Sequence, residues 1–205
     1  MPKTISVVIA EDEAIIRLDL KESLEAEGYA VVGETGRGDE AIDLVRMLEP
    51  DLVILDIKMP GMNGIDAARV ISEQGLAAVI LLTAFSQQDL IQEASNAGVL
   101  AYLVKPFQRS DLVPSIELAL GRFKEISDLK QETLMLRESL QTRKLVDRAK
   151  GLLIDNYGLK EGDAYRYLQK KAMEDRTTMK AVAEDILTDT PHLDAGPPEK
   201  MDKKT

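Results

Sequence analysis

Asp56 ends the apolar run Leu-Val-Ile-Leu at residues 52–55, and a loop containing Pro60, Gly61 and Gly64 follows it. A short continuous apolar run is typical of a strand buried on both faces, so the question is why such a strand ends in a carboxylate. Taken alone, Asp56 is explained as the cap of a turn. The ends of the other apolar runs decide whether it has a chemical role.

Polar residues also end three other apolar runs. The first run ends in Glu11-Asp12, the fourth at Thr83 and the fifth at Lys105. Each has a simple structural explanation: a helix cap for Asp12, a strand end for Thr83 and a surface position for Lys105. In an open parallel sheet, however, ligands bind outside the carboxyl ends of the strands, where the strand order reverses. We therefore expect these residues to form one site.

The residue types in this set suit phosphoryl chemistry. Glu11, Asp12 and Asp56 offer hard oxygen ligands of the kind that Mg²⁺ prefers. One carboxylate could act as a nucleophile while the metal offsets charge on the phosphoryl oxygens. Thr83 would add a hydroxyl donor and Lys105 a positive charge for the remaining oxygens.

The elements that position these residues alternate between strands and helices, which predicts βαβ units and a doubly wound parallel sheet of the α/β class. Apolar runs predict five strands, and helical spacing of apolar residues predicts five helices. The expected strands are 5–9, 29–33, 51–55, 78–82 and 100–104, and the expected helices are 13–27, 38–48, 64–74, 87–97 and one from 110 onward.

After Leu112 the strand signals stop and the chain becomes helical. Steps of three and four residues predict a short coiled-coil seam with one polar position, although an ordinary helix packed on its own domain fits as well. The seam residues are Ile126, Leu129, Thr133, Leu136 and Leu140. Further helices are expected at 143–156, 161–175 and 178–188, and the tail from 189 onward is expected to be disordered.

Composition narrows the classes of function. The chain of 205 residues has no cysteine, which excludes disulfides and thiolate metal sites, and its one histidine, His192, lies in the tail. The formal net charge of −10 is uneven: residues 1–120 carry 9 Lys/Arg against 20 Asp/Glu, and residues 121–190 carry 14 against 13. Two modules with different partners are indicated. We expect a cytoplasmic protein, because we find no apolar run long enough for a membrane span and no signal-peptide pattern.

The first module resembles the receiver domain of two-component response regulators over residues 4–124. The motifs are Glu11-Asp12, Asp56 within Leu-Asp-Ile-Lys-Met-Pro-Gly, Thr83-Ala84 and Lys105-Pro106-Phe107. The resemblance implies that Asp56 accepts a phosphoryl group from a sensor histidine kinase. It also implies that Glu11, Asp12, Asp56 and the backbone carbonyl of Lys58 hold Mg²⁺, that Thr83 and Lys105 contact the phosphate, and that Tyr102 is the switch aromatic.

The second module resembles an ANTAR domain, a three-helix module that binds RNA in transcription antitermination, over about 128–190. The similarity lies in Arg143-Lys-Leu-Val-Asp-Arg-Ala-Lys-Gly151, in residues 164–173 and in residues 182–187. The whole chain is similar to actinobacterial receiver–ANTAR antitermination regulators. We therefore divide it into a receiver at 4–124, a helical linker and ANTAR domain at 125–190, and a disordered tail at 191–205.

Several basic residues and one tyrosine are candidates for contact with RNA hairpin loops. Helical spacing places Tyr165, Leu168 and Ala172 inward and Tyr167 on another face beside two lysines, where it could stack an unpaired base. A solvated charged face with Tyr167 partly buried is the plainer explanation. The candidates are Lys144, Arg148, Lys150, Tyr167, Lys170 and Lys171.

Two other functions remain as alternatives. A DNA-binding domain would place its last helix in the major groove. That helix has only one basic residue, Lys180, against the acidic Glu184 and Asp185. A phosphohydrolase acting through Asp56 usually needs a second carboxylate two residues later, and that position is Lys58. If the seam is real, phosphorylation could change how two copies pair, which would give a homodimer of the phosphorylated form, or it could free a masked RNA-binding face.

Overall fold

A computed structural model describes residues 4–84 and 96–188. The chain divides into two compact units, one up to Leu129 and one from Lys130. The first unit contains five strands: β1 (Ser6–Ala10), β2 (Ala30–Thr35), β3 (Leu52–Asp56), β4 (Ala78–Ala84) and β5 (Ala101–Lys105). Three helices alternate with these strands: α1 (Ala14–Ala26), α2 (Gly38–Leu48) and α3 (Gly64–Gln74). The helix expected at 87–97 lies mostly outside the described residues, as does the expected tail.

All five strands are parallel, in the order β2-β1-β3-β4-β5. The predicted doubly wound α/β fold is therefore confirmed. Successive residues of a strand point to opposite faces of the sheet, and each face has its own apolar core. Val8 and Val53 belong to the core shared with α2 and α3, whereas Val7 and Ile54 belong to the core on the other face.

The long helix α4 runs from Arg109 to Tyr157 without a break. We had expected a separate helix at 143–156, and that expectation was wrong. Residues 115–150 contain no proline and a single glycine, Gly121, so nothing in the local sequence ends the helix. Pro114 is the sixth residue of the helix, and its missing N–H removes one backbone hydrogen bond without ending the helix.

The second unit is helical, as predicted. The end of α4 packs with α5 (Glu161–Glu174) and α6 (Met179–Thr188) around a small apolar core. Gly158, with a φ of 64°, supplies the left-handed residue after α4, and Arg176, with a φ of 51°, occupies the same conformation after α5. The core residues are Val146, Ala149, Leu153, Ala164, Leu168, Ala172, Val182, Ala183 and Ile186. Among the residues described, no helix is both long and apolar enough to cross a bilayer.

Candidate functional site

The carboxyl ends of β1, β3, β4 and β5 bring the candidate residues of the first unit together. Strand pairing sets Asp56 beside Leu82 and Lys105 beside Ala84, so these side chains emerge at one edge of the sheet. Glu11 is fully buried, Asp56 and Thr83 are buried, and Asp12 is exposed. The site therefore has a buried floor and one carboxylate open to solvent.

Lys105 links two of the carboxylates. Its ammonium nitrogen lies 2.5 Å from Glu11 Oε2 and 2.5 Å from Asp56 Oδ1, and the side chain is 16% exposed. The backbone N–H of Lys58 donates to the other oxygen of Asp56 at 2.7 Å. Both Asp56 oxygens thus have a partner, which fixes the carboxylate at the strand end.

Burial and charge act in opposite directions in this cluster. Burial is the largest effect on Glu11 and raises the pKa of its carboxyl, although the neighbouring Lys105 ammonium lowers it. Burial alone would lower the pKa of Lys105, but its close contacts with the Asp56 and Glu11 carboxylates together outweigh burial, so the pKa of Lys105 is raised. The lysine therefore remains charged and offsets part of the carboxylate repulsion.

The carboxylates fit a divalent metal ion. Glu11, Asp12 and Asp56 each offer an oxygen, and these oxygens lie within 4.8 Å of one another. Glu11 Oε2 is fully buried and lies beside the Lys105 ammonium, but among the described residues none donates a well-oriented hydrogen bond to it. A hard cation with few protein ligands matches this donor set. An open pocket lined by Asp12, Lys58 and Asn63 lies beside the exposed carboxylate of the site.

The loop after β3 is held close to the site by glycines. A Cβ at Gly64 would lie 1.9 Å from the carbonyl oxygen of Asp56, so α3 can start there only because the residue has no side chain. The Asn63 side chain accepts a hydrogen bond from the N–H of Asp66 and caps α3. These contacts fix the loop that contains Lys58.

Thr83 and Tyr102 lie near the other candidates, on neighbouring strands. The Thr83 hydroxyl donates to the carbonyl oxygen of Ala84 at 3.1 Å. Tyr102 is half-buried and packs against the core on the α2 and α3 face of the sheet, and burial raises the pKa of its hydroxyl. These observations describe where the two side chains lie; their roles as phosphate contact and switch stay predictions.

The candidate RNA residues of the second unit do not share one exposed surface. Lys150, with a side chain only 14% exposed, lies 3.0 Å from both Asp147 and Glu161 and joins α4 to α5. Lys171 is half-buried and lies 2.9 Å from Asp175. Lys144 and Arg148 are exposed, and we see no ion pair for either within the described part of the chain. Lys170 is exposed and lies 3.5 Å from Glu174.

The placement of the two α5 tyrosines was wrong. Tyr165, expected inward, is 46% exposed, whereas Tyr167 is half-buried against the small core. The core face of α5 consists of Ala164, Leu168 and Ala172, which recur every four residues. Helical spacing from Leu168 allows either Ala164, four residues earlier, or Tyr165, three residues earlier, to face the core. In the structure the smaller residue, Ala164, packs against the other two helices.

Two residues near the strand-end site were missed. The Arg17 guanidinium donates to the carbonyl oxygen of Glu11. Arg37 pairs with Asp39 at 2.6 Å and 3.0 Å, and a Cβ at Gly61 would lie 2.9 Å from its Nη2 atom. Arg37 follows the end of β2, so considering the polar residues after the second strand would have indicated it. No feature of the sequence indicates Arg17.

Comparison with known families identifies both units. Residues 7–117 match the family described as response regulator receiver domain, and residues 135–187 match the ANTAR domain. The chain is 56% identical over 181 residues to the transcriptional regulatory protein PdtaR of Mycobacterium tuberculosis, covering 88% of each chain. It is also 41% identical over 111 residues to the chemotaxis protein CheY of Thermotoga maritima, covering 54% of this chain and 92% of the other.

Solved structures agree for the first unit. The receiver domain of a modulated diguanylate cyclase from Desulfovibrio desulfuricans superposes with a TM-score of 0.56 at 29% identity, covering 60% of this chain and 98% of that one. The receiver domain of the response regulator NarL from Mycobacterium tuberculosis gives a TM-score of 0.56 at 26% identity, covering 58% of this chain and 98% of that one. These similarities concern the strand-and-helix unit that holds the carboxylates.

Proposed function

Because the chain belongs to the response regulators that join a receiver domain to an ANTAR domain, we propose that phosphorylation of Asp56 controls its binding to RNA and thereby transcription antitermination. The chain is a regulator and not an enzyme. The observation that carries the proposal is the buried cluster in which Glu11, Asp56 and Lys105 meet beside exposed Asp12. Its partners would be a sensor histidine kinase and RNA hairpin loops, and its location the cytoplasm.

The geometry of the cluster supports phosphoryl transfer to Asp56. An Asp56 oxygen attacks the phosphorus of a phosphohistidine, the bond between phosphorus and nitrogen breaks, and the imidazole leaves with the electron pair. Lys105 already touches Asp56 Oδ1, so its ammonium is in place for an oxygen of the new acyl phosphate. Thr83, at the end of the neighbouring strand, would donate its hydroxyl to another oxygen.

Mg²⁺ would be held by Glu11, Asp12, Asp56 and the backbone carbonyl of Lys58. When bound, the ion supplies positive charge that offsets the negative charge of the phosphoryl oxygens. Glu11 and Asp56 lie on the buried floor of the site and Asp12 at its open side. The protein thus provides a fixed set of oxygens, and the pocket beside Asp12 gives access from solvent.

Phosphorylation at Asp56 is tested with Mg²⁺ and a small phosphodonor. The wild type should gain one phosphoryl group that hydroxylamine removes, as expected of an acyl phosphate. Asp56→Asn should gain none, and Asp12→Ala should gain it more slowly because a metal ligand is lost. Undiminished labelling of Asp56→Asn would disprove the assignment.

RNA binding by the second unit is supported by the ANTAR match and by its charge distribution. The last helix, α6, has exposed Glu184 and Asp185 and only one basic residue, Lys180. This charge distribution disfavours insertion of the helix into a DNA groove. Lys144 and Arg148 on α4 are exposed cations available for phosphates. Three further candidates from the sequence contact neighbouring residues and would contribute less to RNA binding. They are Lys150, Tyr167 and Lys171.

A homodimer of the phosphorylated form is the proposed link between the two activities. The apolar seam residues of α4, namely Ile126, Leu129, Leu136 and Leu140, are between 42% and 60% exposed. Exposed apolar side chains at this spacing favour pairing of two helices. Phosphorylation can shift this pairing only if it favours one association state over the other.

Competition binding tests the RNA proposal directly. We would compare a hairpin RNA, the same sequence fully paired with its complement, and duplex DNA of equal length. The hairpin should bind most tightly because its loop presents unpaired bases. Equal affinity for all three would leave only weak polyanion binding and would contradict antitermination through RNA recognition.

A further inference from the structure

The outer face of α5 carries the two large hydrophobic residues that the structure exposes within residues 143–188. Tyr165 is 46% exposed and Met173 is 70% exposed. They are eight residues apart, which places them about 12 Å apart along the helix and within a quarter turn of each other. Two separate exposed hydrophobic side chains are ordinary on a protein surface, so the polar residues around them decide whether this face binds a partner.

The polar residues of this face suit a nucleic acid. Gln169 lies one turn after Tyr165 and is exposed, and Arg166 and Lys170 border the same face. An aromatic ring can stack on any base, an amide can bond to base edges, and cations can hold phosphates. A protein partner of purely apolar character would leave these cations and the amide without a role.

The two cations of the face are loosely paired. Arg166 lies 3.6 Å from Asp163, and Lys170 lies 3.5 Å from Glu174, both within the same helix. By comparison, Lys150 lies 3.0 Å from each of two carboxylates, and Lys171 lies 2.9 Å from Asp175. Exposed pairs within one helix contribute little to stability, so Arg166 and Lys170 can turn to a phosphate at small cost.

We propose that the outer face of α5, formed by Tyr165, Arg166, Gln169, Lys170 and Met173, reads unpaired bases of RNA, with the Tyr165 ring as the stacking platform. This inference rests on the proposed RNA-binding function and assigns the residues that carry it. Of the candidates from sequence it keeps Lys170 and replaces Tyr167 with Tyr165.

Substitution of the ring tests the proposal. Tyr165→Ala should lower the affinity for a hairpin RNA roughly 5- to 150-fold, the range expected when one base loses its aromatic partner. Tyr165→Phe retains the ring and should bind within about twofold of the wild type. Because Tyr165 lies outside the small core, both variants should keep the melting temperature of the second unit.

A matched pair of charge variants separates this face from general attraction to polyanions. Arg166→Gln and Arg137→Gln each remove one positive charge, and Arg137 is exposed on α4 outside the second unit's core. Arg166→Gln should lower both the affinity and the steepness of its salt dependence, whereas Arg137→Gln should change neither appreciably. Equal effects of the two variants would overturn the assignment of Arg166.

Photochemical crosslinking gives a readout that does not depend on affinity. Trypsin cleaves after Lys160, Arg166 and Lys170, so Tyr165 and Tyr167 fall in different peptides, 161–166 and 167–170. Hairpin RNA with uridine in the loop should crosslink within 161–166. A crosslink confined to 167–170 would overturn the proposal and restore the original assignment of Tyr167.

The outcomes distinguish this inference from the proposed function. If the wild type binds no hairpin either with or without Mg²⁺ and the phosphodonor, RNA binding itself fails. If the wild type binds and Tyr165→Ala binds equally well, the α5 face is wrong while RNA binding stands. If Tyr165→Ala instead reduces self-association measured by sedimentation without RNA, the face binds a second copy of the chain and the inference is overturned.

Discussion

At the scale of single residues, the central feature is that one ammonium group holds two carboxylates at the strand ends. Lys105 is 2.5 Å from both Glu11 and Asp56, and Glu11 has no exposure to solvent. A buried carboxylate that loses its cation is expensive, because neither water nor another charge replaces the lost interaction. Lys105 therefore has a structural role in addition to any contact with phosphate.

Replacing Lys105 should expose that role. Lys105→Ala should destabilise the first unit by about 3 kcal/mol, the scale for breaking a buried ion pair. Added Mg²⁺ should restore part of the loss, since a cation bound by the same oxygens supplies the missing charge. Denaturant unfolding with and without Mg²⁺ measures both effects. Lys58→Ala, which removes a charge from an exposed side chain, is the control, and equal unfolding curves for the two variants would contradict the account.

At the scale of elements, the position of α3 against the end of β3 depends on a residue without a side chain. A Cβ at Gly64 would lie 1.9 Å from the Asp56 carbonyl oxygen, which is backbone and cannot move away cheaply. The start of α3 and the loop containing Lys58 would have to shift. The same close approach fixes the geometry of the site.

Two alanine substitutions should therefore have opposite effects. Gly64→Ala should destabilise the first unit by about 1–3 kcal/mol through overpacking. Gly121→Ala, within α4 and with open space around a Cβ, should stabilise the protein by about 0.5–1 kcal/mol through better helix propensity. Thermal unfolding compares them. A Gly64→Ala protein as stable as the wild type would show that α3 tolerates displacement.

A second prediction at this scale concerns the junction of α4 and α5. The sequence makes Lys150 a candidate for RNA contact. In the structure it lies between Asp147 and Glu161 and joins the two helices. Lys150→Ala should lower the melting temperature of the second unit while leaving hairpin affinity per folded molecule close to that of the wild type. A large loss of affinity without loss of stability would return Lys150 to the RNA surface.

At the scale of the whole molecule, α4 passes the boundary between the two units, and its exposed apolar residues mark the segment for association. Leu129 and Leu136 are more than half exposed, so replacing them should leave the fold of a single chain intact. Leu129→Asp with Leu136→Asp should abolish association of the phosphorylated form, because charges on a helix seam repel. Sedimentation profiles that match between the phosphorylated wild type and this variant would contradict a homodimer through the seam.

How far the sequence predicts the molecule depends on how local the signal is. The strands were predicted within one or two residues, because buried parallel strands are continuous apolar runs, and the meeting of Glu11, Asp12, Asp56 and Lys105 was predicted because strand ends share one edge of the sheet. The positions of the two α5 tyrosines were not predicted correctly. Helical spacing allows either Ala164 or Tyr165 in the core, and only packing against the other helices determines which one is buried. The ion pair of Lys150 with Glu161 could not be predicted, because Glu161 comes close to Lys150 only after folding, and the role of Lys150 in RNA contact stays a prediction.

The central claim, that phosphorylation of Asp56 controls RNA binding, is tested most directly by one titration. Hairpin RNA affinity is measured for the wild type and Asp56→Asn in Mg²⁺, each with and without a small phosphodonor. The account predicts that the donor changes the affinity of the wild type and leaves that of Asp56→Asn unchanged. An affinity that the donor leaves unchanged in both proteins, or changes equally in both, would contradict it.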